Sequence, residues 1–238
     1  MREEFLGGLT VRITGGTDGH GGGNGPVVCL MHGFGASGTD LVPLAQHLDA
    51  PAGARFAFPE APISLAMGFW DARAWWMIDM EGLERAVRTG EFRDLSDRVP
   101  EGMAEARGMI MAMLNELMPC IGCAPQQIVL GGFSQGSMLA SDVVWRTQRP
   151  FSGLALLSTT LLAQHEWLPL IPARKGLPVF QSHGHNDPLL PYPLAERYRG
   201  HLTEAGLPVD WVDFPGGHEI PPRVLDRLGS FLHRVFRR

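Results

Sequence analysis

Apolar, β-branched runs recur along the chain, with segments of helical period between them. Seven runs read as strands: "LTVRIT" (9–14), "VVCLMH" (27–32), "ARFAFP" (54–59), "QIVLGG" (127–132), "GLALLS" (153–158), "LPVFQSHG" (177–184) and "VDWVDF" (209–214). Several are apolar almost throughout, as strands buried on both faces of a parallel sheet are. Between 101 and 118, Ala106, Ile110, Met113, Leu114 and Leu117 recur at helical spacing and make one apolar stripe. The methionines there read as core filler. A last helix is expected to open at "PPR", with Pro in its first turn, and to carry Val224, Leu228, Phe231 and Val235 on one face. Strand–helix alternation of this kind predicts a doubly wound α/β sheet.

One stretch breaks the alternation. Residues 60–97 are too long for a plain connection and concentrate Met67, Trp70, Trp75, Trp76, Met77 and Met80, with a helix pattern inserted after them. Long aromatic insertions serve as lids or binding loops, and equally as caps over a core. No repeat or low-complexity linker interrupts the chain, so 1–238 is expected to be a single domain with a lid-like or groove-forming insertion at about 60–97.

Composition narrows the function classes. The 238 residues carry a net charge of −5, with 45% hydrophobic and 19% charged positions. That is an ordinary globular composition without a basic footprint, which argues against nucleic-acid binding. The Arg-rich end "HRVFRR" complements the C-terminal dipole of the last helix. Cys29 reads as a core residue, and the Cys120–Cys123 pair follows a Pro at a helix end instead of opening a helix as a redox motif does. The opening "MREEFLGG" lacks the apolar core of a secretion signal, and no run is long enough to cross a membrane. A cytoplasmic protein is expected, monomeric or a homodimer.

The chemistry begins at "GGFSQG". Gly132-Phe133-Ser134-Gln135-Gly136 is a G-x-S-x-G that follows a strand and opens a helix, the setting of a nucleophile elbow. The turn exposes the Ser hydroxyl in a strained conformation and leaves no room for side chains at the two glycines. A serine needs a base, and in this arrangement an acid and then a His follow on loops after later strands. Asp187 stands just past "LPVFQSHG", and His218 stands in "PGGHEI" before the last helix. Both lie beyond the carboxyl ends of strands, where open α/β sheets place their chemistry. Asp210 and Asp213 lie within a strand pattern, and His201 and His233 on helix patterns, which makes them weaker candidates. The run His183-Gly184-His185-Asn186-Asp187 also reads as HxHxD, a metal-hydrolase spacing, although Pro188 stands where a further His usually follows.

Two glycine stretches compete to supply an oxyanion hole. "GHGGGNG" (19–25) precedes the strand "VVCLMH", and "HGFGASG" (32–38) begins as that strand ends. Donors must reach Ser134 from the carboxyl end of a strand, which favours the second. His20 and its glycines then read as a flexible hairpin turn between the first two strands.

Together, "HGFGASGTDLVPLA" (32–45), "FPEAP" (58–62), "GFSQG" (132–136), "HGHNDPLLP" (183–191) and "GGHEI" (216–220) resemble the phospholipase/carboxylesterase family of α/β-hydrolases, which includes the acyl-protein thioesterases. The resemblance covers most of the chain. It implies an α/β-hydrolase fold, a mostly parallel central sheet with helices on both faces. It further implies Ser134 as nucleophile, Asp187 as acid, His218 as base, and an oxyanion hole from the backbone N–H groups of Phe34 and Gln135. No metal or other cofactor is implied. The bulky "AWWMIDM" departs from the compact Trp-Phe segment usual in the family, so Trp75, Trp76, Met77 and Leu189 are the candidate substrate contacts. The expected activity is hydrolysis of short- to medium-chain carboxylic esters, with lysophospholipids or acyl thioesters as alternative substrates of the same triad. A metal-dependent hydrolase built on residues 183–187 and a non-catalytic binding module remain as readings of another class.

Overall fold

The computed structural model describes residues 1–65 and 71–237. Its main sheet takes strands β1 (Arg2–Leu6), β2 (Leu9–Gly16), β3 (His20–Gly22), β4 (Val27–Met31), β5 (Arg55–Pro59), β8 (Ile128–Phe133), β9 (Gly153–Leu157), β10 (Val179–Gly184) and β11 (Val209–Phe214). A separate hairpin pairs β6 (Ile63–Leu65) with β7 (Ala72–Ala74). The main sheet runs β1-β2-β5-β4-β8-β9-β10-β11, with the short β3 beside β2. From β5 to β11 every pairing is parallel, and β1 and β2 are antiparallel additions at one edge. The mixed but mostly parallel sheet is therefore as the apolar runs predict.

Burial follows sequence pattern. Strands β4, β5 and β9 are buried at every position, because helices cover both faces. On one face lie α3 (Met103–Ile121), α4 (Gln135–Trp145) and α6 (Tyr192–Glu204), packed over Val11, Cys29, Leu130 and Leu156. On the other lies α7 (Pro222–Phe236), whose Val224, Leu228, Phe231 and Val235 meet Val28, Phe58, Leu157 and Phe180. The short α1 (Leu44–His47) and α5 (Gln164–Trp167) border the sheet, and α2 (Met80–Thr89) belongs to the 60–97 stretch. The predicted stripe of α3 is buried as expected, and the helix continues through Pro119 to Ile121.

Two local expectations differ from the structure. The N-terminal "REEFL" is an edge strand whose alternating exposure reflects one wet face, so its charges concealed it. The glycine stretch 19–25 is not a flexible hairpin, because β2 and β4 are not neighbours; β5 lies between them. The stretch is instead a closed turn in which Asp18 Oδ1 accepts from the N–H groups of His20 and Gly22, at 2.8 and 2.9 Å. Gly21 is required there, since a Cβ would collide with the Ile13 side chain and φ is +87°.

Candidate active site

The C-terminal ends of β4, β8, β10 and β11 converge, and Phe34, Ser134, Gln135, Asp187, Leu189 and His218 lie just beyond them, whereas Trp75, Trp76 and Met77 follow β7 of the hairpin. Ser134 occupies the turn between β8 and α4 with φ 53° and ψ −120°, a conformation L-residues avoid. A Cβ on Gly136 would stand 2.7 Å from the His32 carbonyl oxygen and nearer still to that of Met31. One on Gly132 would stand 2.5 Å from the same Met31 oxygen. Only glycine at both positions lets α4 begin directly against the end of β4.

Asp187 and His218 meet across their two loops. His218 Nδ1 lies 2.7 Å from Asp187 Oδ2, while Asp187 Oδ1 accepts from the N–H groups of Leu189 and Leu190, both at 2.9 Å. Burial alone would raise the Asp187 carboxyl, but the hydrogen bond and charge of His218 and the Leu190 amide outweigh it and hold the group below the ordinary carboxylate range. The loops themselves are tied by His185 N–H to Phe214 O and Asn186 N–H to Gly216 O, both 2.9 Å.

Ser134, Gln135 and His218 open onto one cavity of about 780 Å³, which Phe34, Trp76, Met77 and Leu189 also line. The His218 ring packs on Phe133 with centroids 4.8 Å apart. Among the described residues, no protein acceptor lies on the backbone N–H of Phe34 or Gln135. Gln135 begins α4, so its amide is one of the unpaired donors at the positive end of a helix.

Of the four candidate substrate contacts, Trp76, Met77 and Leu189 face the cavity, and Trp75 does not. Trp75 is 1% exposed, lies in the core, and donates its indole N–H to His32 O at 2.9 Å. An aromatic run reads alike whether its rings face ligand or core, and burial of the indole N–H against a backbone carbonyl decides for the core here. Met67 and Trp70 lie outside the described residues. The HxHxD residues diverge: His183 is buried against the Leu190 carbonyl, whereas His185 is at the surface, 3.0 Å from Asp213. Among the described residues no group of three His, Cys, Asp or Glu side chains is placed to hold a metal ion.

Supporting residues that no local motif announces frame the loop 32–36. The Gln135 side chain accepts from Trp75 N–H at 2.9 Å and donates to Trp76 O at 2.8 Å. His32 Nε2 accepts from Ala61 N–H at 3.1 Å, which leaves Nδ1–H to donate to Gly33 O at 2.9 Å. Glu60 is buried between Arg12 at 2.8 Å and Arg73 at 3.3 Å, and β7 binds the loop through Gly35 N–H to Arg73 O and Arg73 N–H to Ala36 O.

A model of the phospholipase/carboxylesterase family matches residues 21–236. The chain belongs to the phospholipase/carboxylesterase family. It is similar to acyl-protein thioesterase 1 of Eremothecium gossypii, with 32% identity over 213 residues, 85% of each chain. It is also similar to acyl-protein thioesterase 1 of Neurospora crassa, with 27% identity over 218 residues, 86% of this chain and 84% of that one. Among solved structures, esterase PE8 superimposes with a TM-score of 0.79 and 25% identity, covering 95% of this chain and 99% of that one. The Bacillus cereus carboxylesterase shares the fold, with a TM-score of 0.72 and 18% identity over 96% and 95% of the two chains. This phospholipase/carboxylesterase family member is accordingly a serine hydrolase of the esterase and thioesterase type. Among its described residues no helix is long and apolar enough to cross a membrane.

Two of its histidines carry a pH dependence. Burial holds His32 and His183 neutral, lowering both below the ordinary histidine value despite hydrogen bonds that favour the cation. The unfolded chain protonates them near pH 6.5, the folded chain only at lower pH. Below about pH 6.5 the unfolded state therefore binds more protons, and stability falls as pH falls, by at most roughly 1.4 kcal/mol per pH unit for each histidine. Thermal melts at pH 7.5 and 5.5 should show a lower Tm at the acidic value, and a smaller drop for His32→Gln than for the wild type.

Proposed function

We propose that the protein is a serine carboxylesterase that hydrolyses short- to medium-chain carboxylic esters, with Ser134 as nucleophile, His218 as base and Asp187 as acid. The observation that carries the proposal is the convergence on one cavity of a strained, glycine-flanked Ser134 and a His218 whose Nδ1 is committed to a buried carboxylate. Family membership supports the reaction class.

In the proposed reaction His218 removes the hydroxyl proton as Ser134 attacks the ester carbonyl. Asp187 keeps the imidazole in the tautomer that leaves Nε2 free to accept, and stabilises the imidazolium. The oxyanion is received by the N–H groups of Phe34 and Gln135. His218 returns the proton to the leaving alcohol, the acyl-enzyme forms, and the same His activates water to release the acid and regenerate Ser134. Each backbone donor is worth roughly 3–4 kcal/mol at this step.

The substrate class rests on the wall of the cavity. Trp76, Met77, Leu162 and Leu189 offer apolar contact to an acyl group, and Met77, Phe92 and Val99 stay exposed at its edge. In this reading the 60–97 insertion is a groove-forming part of one domain. A second reading, acyl thioester hydrolysis by the same residues, is favoured by the likeness to proteins named acyl-protein thioesterase 1 and by that exposed apolar edge.

Ser134→Ala should lower kcat by about 10⁶ and abolish fluorophosphonate labelling; a variant that keeps a tenth of wild-type turnover overturns the assignment. Phe34→Pro, which removes one donor, should lower kcat by roughly 10²–10³, while His20→Ala in the competing glycine stretch should leave it unchanged. Equal losses at both positions would mean the oxyanion loop is wrongly placed. A series of p-nitrophenyl esters of graded chain length, run beside an acyl-CoA and a lysophospholipid, should give the highest kcat/KM on the shorter esters; a maximum on the acyl-CoA establishes the thioesterase reading instead.

A further inference from the structure

His183 stands one residue before the end of β10, fully buried, and does not line the cavity that holds Ser134 and His218. A buried polar ring removed from the substrate must be there for its protein partners. Its Nε2 lies 2.8 Å from the Leu190 carbonyl oxygen and 3.4 Å from Asp187 Oδ2. Its Nδ1 has no partner among the described residues. A carbonyl can only accept, so the ring proton is on Nε2. A cation would add a second buried N–H, at Nδ1, with no acceptor to receive it. His183 is thus a neutral ring whose single N–H is aimed at Leu190 O, with the Asp187 carboxylate just beyond.

That placement closes a loop of interactions. The Leu189 and Leu190 amides hold Asp187 Oδ1, His218 holds Oδ2, and His183 holds the carbonyl of the same Leu190. Leu190 is therefore fixed on both sides, its N–H by the acid and its C=O by His183. Without the second hold the turn 187–190 is free to shift, and the carboxylate plane shifts with it. Two other roles for His183 fail on geometry. Metal ligation would need His185, which instead faces Asp213 and Tyr192 at the surface. A second base would need access to the cavity, and His183 has none.

We propose that His183 is a positioning residue for the triad acid: its Nε2–H fixes the Leu190 carbonyl so that the 189–190 amides keep the Asp187 carboxylate turned toward His218. The inference rests on the Ser134–His218–Asp187 reading given above, and its effect is on turnover and not on substrate binding.

The test compares Asp187→Asn, His183→Gln, His183→Asn and His183→Leu on a p-nitrophenyl ester. Turnover is expressed per site counted by fluorophosphonate labelling carried to completion, so misfolded protein does not enter. The Gln amide reaches the place of Nε2, and His183→Gln should keep kcat within about fivefold. The shorter Asn and the apolar Leu should each lose roughly 30- to 100-fold in kcat with KM within about twofold, the size expected when a catalytic group is misplaced by part of an ångström to one ångström. If His183→Leu does not fold, the Gln and Asn variants carry the comparison alone. Equal kcat for Gln and Asn, a loss in Gln as deep as in Leu, or a change confined to KM overturns the positioning role. Full activity in Asp187→Asn overturns the triad reading itself, so the two failures are distinguishable.

Discussion

The start of α4 is pressed against the end of β4 with no room for a single side-chain carbon between them, and the site depends on that contact. Gly132 and Gly136 face the Met31 carbonyl so closely that any Cβ would overlap it. The chain turns from β8 into α4 there with Ser134 at a positive φ of 53°, a strain of about 1–3 kcal/mol. The helix itself offsets this, because all eleven residues of α4 are buried. Ser134 N–H also donates to Leu157 O at 2.9 Å, and Ser137 Oγ donates back to Ser134 O at 2.5 Å. The strain is stored because the surroundings leave no alternative path.

On the proposed reading, the same contact sets the side from which the oxyanion donors come. A helix that begins at the end of β4 directs its free N–H groups toward the loop leaving β4, residues 32–36. That loop has little regular structure and is held from three directions. His32 bridges it to Ala61, the hairpin strand β7 clasps Gly35 and Ala36, and Glu60 anchors Arg73 beneath. Gln135, which lines the cavity, then joins the two halves through its side chain, which grips the Trp75–Trp76 backbone. One residue thereby couples α4 to the wall of the groove.

Much of this was legible in the sequence, and the missing parts share a cause. Strands such as Val27–Met31 and Gly153–Leu157, and the stripe from Ala106 to Leu117, were readable because burial imposes a period on neighbouring positions. The candidates Ser134, Asp187 and His218 stand out in the sequence because the proposed chemistry needs particular residue types after particular strands. Arg2–Leu6 escaped because an edge strand with a wet face carries charges, and the 19–25 turn was misjudged because strand adjacency is not a local property. Trp75 and the Gln135 amide were opaque for the same reason. Whether a ring meets ligand or core, and whether an amide meets water or a distant backbone, depends on segments some sixty residues apart.

Histidine shows how the fold assigns different work to one side chain. His32 and His183 are both buried with one N–H directed at a backbone carbonyl, which fixes their tautomer, while desolvation outweighs that hydrogen bond and disfavours the cation. Neither can take a proton from a substrate-facing hydroxyl, since neither has a free nitrogen on the cavity. His218 differs in its partner and its exposure. Its Nδ1 meets a carboxylate, and among the described residues its Nε2 has no protein partner while the ring borders the cavity. A general base must reach the hydroxyl it deprotonates, and of these three rings only His218 borders the cavity, as the proposed role requires. The carboxylate that makes the difference accepts from the amide of Leu190, the residue whose carbonyl His183 grips, so on the proposed reading a histidine kept neutral by burial helps to position the partner of another.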